Sequence, residues 1–185
     1  MMAGRIIASL AAAGAAALCG TSALAAGSAT ATGVASATLV SPLRVIALSP
    51  MEFGEITHAD GSSGTVTVSP GAAGAQFAGG ASAACTGSAC ADAHAARFSV
   101  SGEPQRNYTI ELPAAIVATG TTQSGAGVPA LTVTGLTVRS ASSATAPRLD
   151  AAGTDRFEVG GTITLPADLP PARYRASFTV IVSYV

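Results

Sequence analysis

Cys85 and Cys90 enclose a four-residue loop, and Asp92 and His94 follow at alternate positions, giving C-x4-C-x-D-x-H. Thiolate, carboxylate and imidazole donors so close together are the ligand types of a small tetrahedral zinc site. The spacing matches no standard zinc module, and the preceding GAAGAQFAGGASAA offers no frame to aim the donors. In an oxidising compartment the same two cysteines would instead close a disulfide. Disulfide, free thiols and metal are thus three readings, of which Cys85–Cys90 as a disulfide is favoured and no metal site is expected. His58, Asp60 and Ser62 or Ser63, in THADGSSG, are the residue types of a nucleophilic triad. Crowded into one turn-rich loop, they have no scaffold to align their functional atoms, and no nucleophile elbow is present. Asp60-Gly61 reads more simply as a turn. Glu52/Glu55 and Asp150/Asp155 resemble carboxylate pairs but fall at strand edges or in loops, where solvated charge is the default. Calcium held by Asp150 and Asp155 lacks any EF-hand spacing. The chain has no lysine, so Gly160-Gly161 cannot belong to a P-loop and reads as a strand bend. No catalytic residue and no cofactor are expected, and the chain is read as a non-enzyme.

What surrounds these residues points outward from the cell. Residues 1–25 carry one early charge at Arg5, an apolar run from Ile6 to about Leu18, and the small-residue site Ala23-Leu24-Ala25. That is the layout of a secretory signal peptide cleaved after Ala25. The run is well short of the ~20 residues of a membrane span. Cys19 follows Leu18, where lipid attachment needs a small side chain, so it is read as leaving with the signal. The expected location is the periplasm, cell surface or exterior of a Gram-negative bacterium, without membrane insertion after signal cleavage. Nine basic residues, all arginine, stand against ten acidic ones for a formal net charge of −1. Nothing in that balance attracts nucleic acid or an anionic membrane. The 49% apolar content is inflated by alanine and includes no tryptophan. A core must come from Val, Ile, Leu and the five phenylalanines.

The final stretch, YRASFTVIVSYV (Tyr174–Val185), places Tyr174, Ala176, Phe178, Val180, Val182 and Tyr184 on one face of a strand. Shorter alternating runs precede it: Ala35–Ser49 with Pro42, MEFGEI (Met51–Ile56), GTVTVSP (Gly64–Pro70), ARFSVSG (Ala96–Gly102) and RNYTIELP (Arg106–Pro113). ALTVTGLTV (Ala130–Val138), interrupted at Gly135, and DRFEVGGTITLP (Asp155–Pro166) follow. Residues 71–95, 119–128 and 140–153 read as loops. No helical period appears after the signal. The expectation is an all-β, immunoglobulin-like sandwich of seven to eight strands over residues 38–185, preceded by a tail at 26–37.

MEFGEI, GTVTVSP, SGEPQRNYTIELPA and LDAAGTDRFEVGGTITLPADLPPARYRASFTVIVSYV, in that order, resemble an exported bacterial family known as domain of unknown function 4402. The resemblance covers roughly Ala35 to Val185. Its most specific pieces are the Gly102-Glu103-Pro104 turn with the following Tyr-Thr-Ile strand, and Val159-Gly160-Gly161. The Cys-bearing stretch 71–95 is longer than the family's loops. No activity is assigned to that family, which is similar in pattern to chaperone–usher pilins and spore-coat-U-like secreted domains. Those also end on a strand with a penultimate tyrosine, here Tyr184. The resemblance implies a sandwich lacking one strand, with a groove edged by Phe178, Val180, Val182 and Tyr184. An extended segment of another subunit would fill it by strand addition. It also implies as partners other copies or related subunits and a periplasmic chaperone. The candidate donor is Ala26–Ala37, whose face Ala29, Ala31, Gly33, Ala35 and Ala37 is small. Repeated head to tail, such a contact builds a fibre. The alternative is a monomeric binding or adhesion domain that completes itself.

Overall fold

Val and Thr alternate through Gly64–Val68, and in the structure this stretch is a strand with both valines buried. The structure is a computed structural model that describes residues 30–85 and 92–185. Twelve strands appear there and no helix. They are β1 (Arg44–Ser49), β2 (Ile56–His58), β3 (Gly64–Val68), β4 (Ala75–Gly79), β5 (Ala81–Ala83) and β6 (Ala96–Ser101). After them come β7 (Tyr108–Glu111), β8 (Ile116–Thr121), β9 (Gly127–Ser140), β10 (Thr154–Leu165), β11 (Arg173–Arg175) and β12 (Ile181–Tyr184). Every ladder is antiparallel. The protein is all-β, as its alternation predicts.

The largest sheet runs β1-β6-β10-β9-β8-β11. β10 is its axis, paired along both edges, with one apolar face on which Phe157, Val159, Ile163 and Leu165 are buried, while Arg156, Glu158, Thr162 and Thr164 line the other. One edge of β10 pairs with β9, while the other pairs first with β6 and then, past Gly160, with β3. At Gly160-Gly161 the register against β9 shifts, a bulge that agrees with the bend read from sequence. It lies within one continuous strand where neighbours change, and a Cβ on Gly160 would strike the Val68 carbonyl and Pro70. β3 carries β4 on its far edge, and β2 pairs with β5 in a separate small sheet.

Two loop expectations are corrected. Residues 71–95 contain β4 and β5, and 119–128 hold the end of β8 and the start of β9. Alanine, glycine and threonine give little hydrophobic contrast, so these strands are specified by the edges that β3, β2 and β9 offer and not by an apolar period. Conversely, only Arg44–Ser49 of the 35–49 run is a strand, and in Met51–Ile56 Glu52 makes a single bridge to His94 before β2 begins at Ile56.

The C-terminal stretch is one extended path with a fault. Arg173–Arg175 pairs with Thr119–Thr121 of β8, and Ile181–Tyr184 pairs with Tyr108–Glu111 of β7. Carrying the second register back would set Arg175 opposite Val117, yet it faces Thr119. The slip falls opposite Leu112–Ala115, where Pro113 has no N–H to give a ladder. There the β7–β12 ribbon parts from the large sheet and becomes the second layer of a sandwich over β6 and β10. Tyr108, Val100, Phe157, Val159 and Leu149 form the buried core between the layers, flanked by Phe178, Val180 and Val182. Phe98 stacks on Phe157 with centroids 4.9 Å apart, and Phe178 meets Phe98 edge-on at 6.1 Å.

Residues 39–185 make up one compact unit. Residues 30–38, the described part of a separate unit, hold no helix or strand. The expected signal segment lies outside the described residues, and no helix among the described residues is long and apolar enough to cross a membrane.

Candidate functional site

Among the described residues β1 ends the large sheet and pairs only with β6, and β12 pairs only with β7; β11 and β4 are terminal strands elsewhere. β1 and β12 therefore each present a free backbone edge, which is a template for another strand. Both free edges lie on the same side of the sandwich. Tyr184, at the end of β12, donates its hydroxyl to the Ser41 carbonyl just ahead of β1, at 2.7 Å. At the other end Phe178 reaches Phe98, the ladder partner of Ala47 in β1. The opposite edge of β7 is closed: Asn107 bridges Arg148, and the Leu149 N–H bonds the Arg106 carbonyl.

The open side is apolar and only half covered. Val45 shares the inward face with its ladder partner Val100, yet Val100 is fully buried and Val45 is 38% exposed. Across the gap Phe178, Val180, Val182 and Tyr184 alternate half-buried with exposed Thr179, Ile181 and Ser183. The alternation read from sequence thus holds from Phe178 onward, while Ala176 is exposed. Ala176–Val180 belongs to no ladder and takes no part in the turn and loop backbone hydrogen bonds found among the described residues. Its N–H and C=O groups are thus open to pairing with another strand. From Phe178 to Tyr184 the gap is roughly 20 Å long at about 3.3 Å per residue.

One end of the gap is clipped shut. The Glu103 N–H donates to the Tyr184 hydroxyl, and the Glu103 carboxylate accepts from the Ser41 N–H at 2.9 Å. Arg106 sits over the Tyr184 ring, 5.2 Å from its centroid. The Ser41 hydrogen bonds, helped by the Arg106 charge, hold the Glu103 carboxyl below its ordinary range. Gly102 admits this arrangement, since a Cβ there would strike the Tyr184 hydroxyl and Leu43. The sequence singled out both the Gly102-Glu103-Pro104 turn and Tyr184. That they touch one another, 81 residues apart between Glu103 and Tyr184, had no local signal.

The strands of this arrangement fall within the bounds of a family. From Leu43, at the entrance to β1, to Tyr184, the end of β12, the sequence matches the family described as Domain of unknown function (DUF4402). The chain belongs to the DUF4402 family. Comparison with curated proteins and with solved structures found no match. In this DUF4402 protein the matched region holds β1, β12 and the Glu103 and Tyr184 members of the clip, while Ser41 and the tail precede it.

The other singled-out residues are placed as follows. His58 lies in β2 opposite Ala81, with its Nε2 buried and unpartnered, while Asp60, Ser62 and Ser63 are exposed around a turn. Glu52 and His94 exchange backbone hydrogen bonds of 3.0 and 2.8 Å, and Asp92 is exposed. Cys85 is described and Cys90 lies outside the described residues. No cluster of three or more metal-binding side chains occurs among the described residues. Asp150 and Asp155 are not a pair. Asp150 accepts from the Ala152 and Thr154 N–H groups of its own turn. Asp155 is buried, and its Oδ2 accepts from the hydroxyls of Tyr108, Ser140 and Ser142 at 2.8, 2.6 and 2.5 Å. Burial, then the bond to Asp155, pushes the Tyr108 hydroxyl above its ordinary pKa. This network on the closed side was not anticipated, because three hydroxyls and a carboxylate from distant strands leave no spacing to read.

Proposed function

We propose that this DUF4402 protein is an exported, non-enzymatic structural subunit of a surface fibre, joined to its neighbours by β-strand complementation. The observation that carries the reading is the pair of free apolar edges on one side of the sandwich, with unpaired backbone at Ala176–Val180 between them and the ribbon's fault. The segment supplied is the tail of another copy, residues 26–37 and the few that follow. Residues 30–42 are exposed throughout, which leaves that segment available. The resemblance to pilins and spore-coat-U-like domains read from the final strand implies the same mode of joining, in which a periplasmic chaperone would cover the groove before assembly.

Export rests on the signal-like residues 1–25, and the mature chain is expected to begin at Ala26. Cys85 is disulfide-bonded, and its proposed partner is Cys90. The test of function is the mature protein run unheated on denaturing gels after long incubation at high concentration. A ladder of oligomers that collapses on boiling supports the reading. A monodisperse monomer, with native partners present, overturns it and favours the self-completed binding domain.

A further inference from the structure

We infer that the incoming strand runs antiparallel to Ala176–Tyr184, with Leu39 of a second copy as its anchoring side chain beside Ala176. This rests on the strand-exchange reading above. Leu39 is 91% exposed, a large apolar side chain that its own domain leaves in water. It has the same strand parity as Ala31, Gly33, Ala35 and Ala37, so it extends the small-residue face. Ala31–Leu39 and Ala176–Tyr184 are equal lengths of chain. Laid antiparallel, Leu39 faces Ala176, Ala37 faces Phe178, Ala35 faces Val180, Gly33 faces Val182 and Ala31 faces Tyr184.

Size matching supports that register. Phe98 and Phe178 meet edge-on in the groove, with Phe157 buried beneath Phe98, so alanine and glycine fit over them without overpacking. Ala176 is the one exposed, small member of the final face, and it is where a large incoming side chain has room. The backbone supports it too, because Ala176–Val180 is the stretch that lacks ladder partners.

Direction follows from where each chain leaves its own domain. The clip at Ser41 lies at the Tyr184 end of the gap. An antiparallel donor brings its own body to the Phe178 end, the opposite pole. Only then does each subunit keep its Tyr184 pole clear to send its own segment onward, and the contact repeats without closing. A donor running the other way would bring two clips to one pole and favour a reciprocal, closed dimer. Only Val40 separates Leu39 from the clip at Ser41, so adjoining bodies abut and the fibre is stiff.

The experiment uses mixtures of full-length mature copies, one carrying Leu39→Cys and the other Ala176→Cys or Val45→Cys. Oxidation is expected to link Leu39→Cys to Ala176→Cys, since facing positions have Cβ atoms about 4.5–5.5 Å apart. Val45 lies toward the Tyr184 pole, so linkage to Val45→Cys in preference would overturn the direction while leaving strand exchange standing. Leu39→Asp is expected to abolish the ladder and Leu39→Met to keep it. Because Leu39 is exposed, thermal melts of the monomeric Leu39 variants should match that of the monomeric parent. An undiminished ladder from Leu39→Asp, or no linkage in either mixture while the parent polymerises, would overturn the inference. A parent that never polymerises sinks the functional reading itself, which is a separate result.

Discussion

Tyr108 and Tyr184 face each other across the β7–β12 ladder, yet they end in opposite environments. Tyr108 is 1% exposed and its hydroxyl meets the buried Asp155, with Ser140 and Ser142 on the same oxygen. Tyr184 is half exposed, and its hydroxyl joins the main chain of Ser41 and Glu103. The first side of the sandwich is finished from within. Its chain returns through residues 147–149 to cover the edge of β7, and its polar groups satisfy one another. The second side has a fastener at one end and free edges along the rest. A sandwich that spends a buried hydrogen-bond network on one flank and leaves Val45, Val180 and Val182 half covered on the other has an asymmetry that core formation alone does not explain.

The largest expected contrast is between two phenylalanines. Phe157→Ala, in the closed core, should cost about 3–5 kcal/mol, a large share of the ~5–15 typical of a domain. Phe178→Ala, half exposed, should cost roughly 1–2 kcal/mol in the monomer. Urea midpoints of the two variants measure this. Equal losses would mean that the open side is covered in the isolated protein, and the asymmetry would be gone.

Next comes the buried carboxylate. Asp155→Ala leaves three hydroxyls without their acceptor and should cost about 2–4 kcal/mol, whereas Tyr108→Phe leaves two donors on Asp155 and should cost about 1–2. The raised pKa of Tyr108 adds a pH signature. The unfolded chain loses that proton near pH 10, before the folded one does, so above this value the unfolded state binds fewer protons. The contribution is complete at neutral pH and is lost as pH rises from about 10 through the folded value. Tyr108→Phe should therefore flatten the fall of stability above pH 10. It should not abolish it, because burial also raises the Tyr174 pKa. An unchanged alkaline slope would remove Tyr108 from the account.

Much of this was legible in sequence where large and small side chains alternate. GTVTV, DRFEVGGTITL and YTIE carry their burial in their period, and Phe178 to Tyr184 do the same. β4, β5 and β8 were not legible, since AQFAG, ASA and IVATGT hold too few bulky residues to show a face. The fault at Pro113 was visible as a proline, but its consequence needed the partner strand. Asp155 illustrates the general limit. A carboxylate inside a strand pattern reads as exposed until the hydroxyls of three other positions are brought to it. The C-terminal strand and the half-buried face from Phe178 to Tyr184 were read from sequence. The groove's second wall, β1, and its clip became visible only when Ser41, Glu103 and Tyr184 met.

A smaller effect separates the two faces of the open edge itself. Val180→Asp should cost about 1–2 kcal/mol, because a half-covered site lets the carboxylate keep part of its water and spares it the full penalty of burial. Thr179→Asp, on the exposed face, should stay within about 0.5 kcal/mol. The two variants should differ far more in assembly, with the ladder lost for Val180→Asp and kept for Thr179→Asp. If both melt alike and both polymerise, Val180 does not line the accepting surface.

The smallest expected change tests the clip. Tyr184→Phe keeps the ring under Arg106 and removes only the hydroxyl shared by Ser41 and Glu103. A hydrogen bond at a partly solvated site contributes little net stability, because water replaces the lost partner. The monomer should therefore lose no more than about 0.5–1 kcal/mol, less than Tyr108→Phe at the same rung of the same ladder. The effect on exchange should be larger than that figure suggests. With Ser41 released from one of its two anchors, the tail leaves the domain in more than one direction, and ordering it in a neighbour's groove costs more conformational entropy. Oligomers should form more slowly and to a lower extent than in the parent at equal concentration. A Tyr184→Phe protein as destabilised as Tyr108→Phe would show that both sides of the sandwich are equally closed. One that assembles at the parental rate would show that the clip holds the domain together without directing its tail.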